Sequence, residues 1–119
     1  MVERFWFGKI TCIDLHGVDR EIITNPESIK IFIYNLCKTL KMKRHGETLV
    51  DRFGSGRLEG YSALQFIETS SITCHFDEFA DRAFIDVFSC KEYDSQKIVN
   101  FCKKYLKAKH GSYNTINRQ

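Results

Sequence analysis

At 119 residues the chain is long enough to bury a core without disulfide or metal staples and too short for a second domain. A hydrophobic content of 43%, with ten phenylalanines, excludes a disordered chain, and 18 basic against 15 acidic residues is too small an excess for a nucleic-acid footprint. Five scattered cysteines without a CxxC pair exclude a disulfide framework and a zinc cluster.

Residues 5–15, rich in Phe, Ile and Thr, read as a first strand ending at His16-Gly17. In "TNPESIKIFIYNLCKTLKM", Asn25 is placed to cap a helix, Pro26 suits its first position and Glu27 adds charge at the positive end. Ile29, Phe32, Ile33, Leu36, Cys37 and Leu40 share one stripe, so this helix is amphipathic and covers something flat.

"ETLVDRF" at 47–53 reads as a second strand, followed by the loop "GSGRLEG". That loop lacks the lysine and downstream helix of a phosphate-binding loop and reads as a flexible connection. Residues 61–69 and 71–76 read as a nearly continuous extended stretch, "DEFADR" as a turn, and "AFIDVFSC" at 83–90 as a fifth strand. Asp94 or Ser95 caps a second helix bearing Ile98, Val99, Cys102, Tyr105 and Leu106; Gly111 permits its termination, and "SYNTINR" is a last strand. The basic run "KKYLKAKH" closes that helix, where cations suit the negative end of the dipole.

The order β-α-β-β-β-β-α-β predicts an α+β, two-layer sandwich: one antiparallel-rich sheet with two helices on one face, in a single domain spanning 1–119. The other face is left for a site or a partner. The start lacks a leader-like segment and no apolar run is long enough to span a bilayer, so a cytoplasmic protein without membrane or nucleic-acid partners is expected.

Chemistry concentrates in "FIETSSITCHF", where Thr69, Ser70, Ser71, Thr73 and His75 occupy the interior of a strand-like run. Cys74 and His75, being adjacent, point to opposite faces and make a poor dyad. Cys90 with His75 is better, since strands joined through "DEFADR" bring a thiol near an imidazole, as nucleophile or proton donor. The four histidines show no ligand spacing, so no metal is expected, and a hydrolase nucleophile elbow is absent.

"IETSSITCHF" followed by "AFIDVFSCK" resembles the small prokaryotic class of S-adenosylmethionine decarboxylases, pyruvoyl enzymes that cut themselves and make their cofactor from an internal serine. The resemblance covers most of the chain and is sharpest at Ser62, Ser70, His75 and Cys90. It implies that Ser70 Oγ attacks the Thr69 carbonyl, that His75 assists removal of the Ser70 α-proton, and that Ser62, taken to share a strand face with Ser70, hydrogen-bonds at the reacting peptide. The pyruvoyl group left at residue 70 would form a Schiff base with the substrate amine, and Cys90 would return a proton to the carbanion. Cleavage at Thr69-Ser70 would leave a β chain of 1–69 and an α chain of 70–119.

The family carries Glu before the processed serine. Here Thr69 stands there with Glu68 one place earlier, which bears on recognition of the substrate more than on cleavage. Glu68 and Phe76, with Phe79, are the implied substrate contacts. Residues 70 and 75 have opposite parity, so bringing Ser70 to His75 requires a bulge or turn near Ser71. The resemblance implies S-adenosylmethionine as substrate for spermidine synthesis and a homodimer. Two alternatives stay open: a pyruvoyl-dependent decarboxylase of a basic amino acid such as arginine or ornithine, and an unprocessed homologue acting as a binding or regulatory subunit.

Overall fold

The computed structural model describes residues 5–119. Its elements run β1 (Gly8–His16), α1 (Arg20–Ile23), α2 (Pro26–Leu40), β2 (Leu49–Phe53), β3 (Gly60–Ile67), β4 (Ser70–Asp77), β5 (Arg82–Ser89), α3 (Ser95–Tyr105) and β6 (His110–Arg118). All strand pairs are antiparallel, in the spatial order β2-β3-β4-β5-β1-β6. This is the two-layer α+β architecture expected, with both long helices laid on one face.

Local chemistry sets the helix boundaries. Asn25 Oδ1 accepts the Glu27 and Ser28 amides ahead of Pro26, and Lys41 ends α2 in the left-handed region at φ 57°. Asp94 Oδ1 accepts the Lys97 amide and starts α3. Helix α3 ends at Tyr105, and Gly111 lies within β6 against Leu15, so Gly111 is a strand residue rather than the helix terminator. The four-residue α1, capped by Asp19, is too short to leave a periodic signal. In the "GSGRLEG" loop, Gly56–Leu58 form one 3-10 turn.

The α2 stripe from Ile29 to Leu40 is buried as its spacing required, facing Ile13, Leu15, Ile72, Ile85 and Val87 of the sheet. Phe32 is fully buried and stacks on Phe101 of α3, ring centroids 6.2 Å apart. Burying a ring of this size contributes about 2–3 kcal/mol, so α2 is held mainly by this face rather than by helix propensity.

Among the described residues no helix covers the sheet's second face. Along β3 the inward positions are odd (Ala63, Gln65, Ile67); along β4 they are even (Ser70, Ile72, Cys74, Phe76). The open face therefore presents Ser62, Leu64 and Phe66 beside Ser71, Thr73 and His75. Large apolar groups lie bare on it, with Phe53, Phe66 and Ile116 each more than half exposed.

Candidate active site

Two residues, Glu68 and Thr69, connect β3 to β4, with Ile67 paired directly to Ser70. Thr69 has φ 62° and Glu68 does not have a positive φ, so the turn matches neither favoured tight hairpin, one of which needs both positions left-handed and the other the first alone. A β-branched residue there is a steric outlier costing roughly 1–2 kcal/mol, and the strain falls on the residue whose carbonyl joins Ser70.

The strand end on the near side is tied down. Phe66 O accepts both the His45 amide at 2.8 Å and Gln65 Nε2 at 2.8 Å, and Arg44 bridges Ile67. Beyond the turn, Ser70 is 8% exposed and donates its hydroxyl proton to Ser89 Oγ at 2.9 Å. Cys90, half-buried just past the end of β5, donates its thiol proton to Thr69 Oγ1 at 2.8 Å. The tip thus gathers Glu68, Thr69, Ser70, Ser89 and Cys90.

A second cluster lies farther along the same sheet. Ser62 and His75 are cross-strand partners on the open face, with Ser62 Oγ and His75 Nδ1 2.9 Å apart. A cavity of about 280 Å³ opens beside them, lined by Phe53, Arg57, Phe79, Arg82 and Phe84. The Arg57 guanidinium sits 4.7 Å from the Phe79 ring centre, and Arg82 is paired with Asp77 at 2.6 Å. Arg52 bonds both Glu59 and Glu78, fastening the loop before β3 to the turn after β4.

Several expectations are corrected by this geometry. Ser62 does not share a face with Ser70: the two-residue turn reverses the chain, so even positions of β3 face out while even positions of β4 face in. The β4 register runs unbroken from Ser70 to Asp77 without the bulge sought near Ser71; the turn precedes Ser70 instead. His75 therefore stands on the opposite face from Ser70 and about 17 Å along the strand. The Cys90–His75 dyad also fails within one chain, because His75 pairs with Phe84, near the far end of β5 from Cys90. Phe76 and Phe79 both border the cavity, Phe76 as a core residue at 5% exposure and Phe79 as an exposed ring.

Burial separates the thiols. It pushes Cys37 up to about 11 and raises Cys74 and Cys102 as well, leaving these three protonated and enclosed. Iodoacetamide at neutral pH is expected to label Cys90 and to leave Cys37, Cys74 and Cys102 unmodified, as read by peptide mass mapping. Labelling of all five at one rate would mean that the native packing is not held. Among the described residues no group of three or more His, Cys, Asp or Glu is arranged to hold a metal ion, and no helix is long and apolar enough to cross a membrane.

Sequence reasoning passes over Ser89 and Arg57. Ser89 stands next to Cys90 in "FSCK", but only the strand register shows that it faces Ser70. Arg57 lies in a loop with no periodic pattern to flag it.

A sequence model of the S-adenosylmethionine decarboxylase family matches residues 9–119. The chain is 29% identical over 113 residues to the S-adenosylmethionine decarboxylase proenzymes of Caldicellulosiruptor saccharolyticus and Caldicellulosiruptor bescii, covering 93% of this chain and 87% of each relative. Its fold is similar to the crystal structure of the adenosylmethionine decarboxylase from Aquifex aeolicus, with a TM-score of 0.82 and 18% identity over 97% of this chain and 92% of that one. With nearly the whole chain matched, the protein belongs to the S-adenosylmethionine decarboxylase family.

Proposed function

We propose that the chain is a self-processing, pyruvoyl-dependent S-adenosylmethionine decarboxylase, cut between Thr69 and Ser70, that supplies decarboxylated S-adenosylmethionine for spermidine synthesis in the cytoplasm. The observation that carries this reading is the tip itself: a strained Thr69, a shielded Ser70 hydroxyl and a thiol within reach of the same peptide.

In processing, the Ser70 Oγ–carbon bond forms at the Thr69 carbonyl as the peptide C–N bond breaks, and the hydroxyl proton moves to the departing nitrogen. The chain is then joined by an ester. Loss of the Ser70 α-proton expels the Thr69 carboxylate, and hydrolysis of the resulting enamine releases ammonia and leaves the ketone of a pyruvoyl group. The strain held at Thr69, at φ 62°, raises the energy of the uncut turn and so favours the first step.

The residues present fit such a group: its position is shielded from water beside Ser89, and the Cys90 thiol lies next to the turn. A pyruvoyl group there would supply an electron sink for decarboxylation of a substrate amine held at residue 70. Cys90 holds the proton to be returned, and the cavity beside Arg57 and Phe79 suits a planar ring.

Ser62 and His75 stand about 17 Å along β4 from the Ser70 of their own protomer, too far to serve it. We therefore place the working site between two copies of a single-domain protomer, one giving Thr69, Ser70 and Cys90, the other Ser62 and His75. Cys90 lies at the rim of the sheet, just past the end of β5 and against Thr69, while His75 faces the bare side. Two such sides packed together would bury Phe53, Phe66 and Ile116.

The test is an intact-mass spectrum of the purified protein under denaturing conditions, and then carbon dioxide release from S-adenosylmethionine, arginine and ornithine. Fragments of 1–69 and 70–119, the second lacking a free amine, with release from S-adenosylmethionine alone, are expected. A single uncut chain, stable over days, refutes the reading and favours a binding or regulatory subunit.

A further inference from the structure

We infer that Ser89 is a positioning residue for self-processing: it fixes the direction of the Ser70 hydroxyl so that the Ser70 oxygen is free to attack. The inference rests on the processing reading above and concerns only its first step. Ser89 is fully buried and is the direct cross-strand partner of Ser70. Its hydroxyl has one proton to give and two lone pairs to fill.

Each of these is accounted for. The Lys91 amide donates to Ser89 Oγ at 2.9 Å, occupying one lone pair. The Ser89 proton goes to Met42 Sδ at 3.5 Å. The remaining lone pair must accept, and it accepts the Ser70 proton at 2.9 Å. The polarity of the pair is thereby set by the surrounding packing and not by chance rotation of two hydroxyls.

The consequence lies at Ser70. Its proton is held toward Ser89, and among the described residues no donor occupies its oxygen lone pairs. The hydroxyl of a serine at a loose turn would rotate freely and bond water or the nearest carbonyl. Here one rotor state is selected before reaction, which is the condition for an intramolecular attack to profit from proximity. Ser89 is too weakly basic to carry the proton away, so its part is orientation alone.

The experiment separates the acyl shift from the later elimination. Hydroxylamine cleaves an ester but leaves a peptide bond intact, and a chain carrying His75→Ala, impaired in α-proton removal, is expected to hold the ester long enough to be trapped. Adding Ser89→Ala should lower the hydroxylamine-released 1–69 fragment by about tenfold, the loss that one well-made hydrogen bond at a reacting group entails. Ser89→Thr, which keeps the hydroxyl, should restore it. In the chain with His75 intact, Ser89→Ala should slow spontaneous cleavage by a similar factor while the melting temperature stays well above that of the assay.

An unchanged ester yield in a folded Ser89→Ala protein overturns the inference and leaves the processing reading standing. Absence of both spontaneous cleavage and a hydroxylamine-sensitive bond in chains that retain Ser89 overturns both. Should Ser89→Ala not hold its fold, Met42→Leu carries the same test. It preserves volume, frees the Ser89 proton to turn toward Ser70, and is expected to slow cleavage several-fold; an unaltered rate overturns the inference.

Discussion

Ser70→Ala is expected to leave one uncut chain of 119 residues and to abolish decarboxylation, a loss on the order of a thousandfold or more. The substitution removes the attacking oxygen and, with it, the only source of the ketone. It should not unfold the protein: Ser89 Oγ still receives the Lys91 amide, and losing one hydrogen bond donated by Ser70 costs about 1 kcal/mol. Mass spectrometry and a thermal melt on the same sample separate the two effects. Ser71→Ala is the matched control, since Ser71 lies next in sequence but on the open face. If Ser70→Ala is still cut at position 69, or if Ser71→Ala stops the cut, the nucleophile has been misassigned.

Mixing two inactive variants should restore activity. Ser70→Ala disables the tip, and His75→Ala disables the open-face pair, which lies on the opposite face and about 17 Å along β4. If each site draws its tip from one copy and its Ser62–His75 pair from another, a hybrid dimer keeps one intact site. Random pairing makes half the dimers hybrid with one working site in two, so about a quarter of parental activity and of Ser70 cleavage is expected on co-expression. Either variant alone should remain near zero. If co-expression gives no recovery although light scattering shows dimers, both halves must come from one chain, and the sheet would have to rearrange to bring them together.

The legible parts of the fold are those where local physics enforces a pattern. Asn25-Pro26 and the stripe from Ile29 to Leu40 specify α2 because a cap and a 3.6-residue period leave little alternative. The strands are readable because each is short and bounded by a turn. The β3–β4 connection is not: Glu68 and Thr69 are neither Gly, Asn nor Pro, so a hairpin turn reads as continued strand. Once the turn is in place, parity alone sends Ser62 outward and Ser70 inward. Resemblance identifies Ser62, Ser70, His75 and Cys90 without saying which stand together, since spacing along a chain carries no information about which face or which copy supplies a group. Ser89 escapes notice because a serine in a strand is chemically unremarked until a neighbour's hydroxyl is found opposite it.

The position of the turn within the sheet bears on what the protein would become after such a cut. Residues 1–69 contribute β1, β2 and β3, and residues 70–119 contribute β4, β5 and β6. In the spatial order β2-β3-β4-β5-β1-β6, the pieces are interleaved: β1 of the first lies between β5 and β6 of the second. Three ladders, β3 with β4, β5 with β1 and β1 with β6, would join separate polypeptides. Severing one peptide bond at the rim of such a weave releases nothing, because no piece can slide out without unzipping the sheet and opening the core. The uncut chain can find its fold alone, whereas its severed halves, once unravelled, would have to meet again in solution. The cut would therefore turn folding into a history: the mature protein persists because it was threaded while still whole.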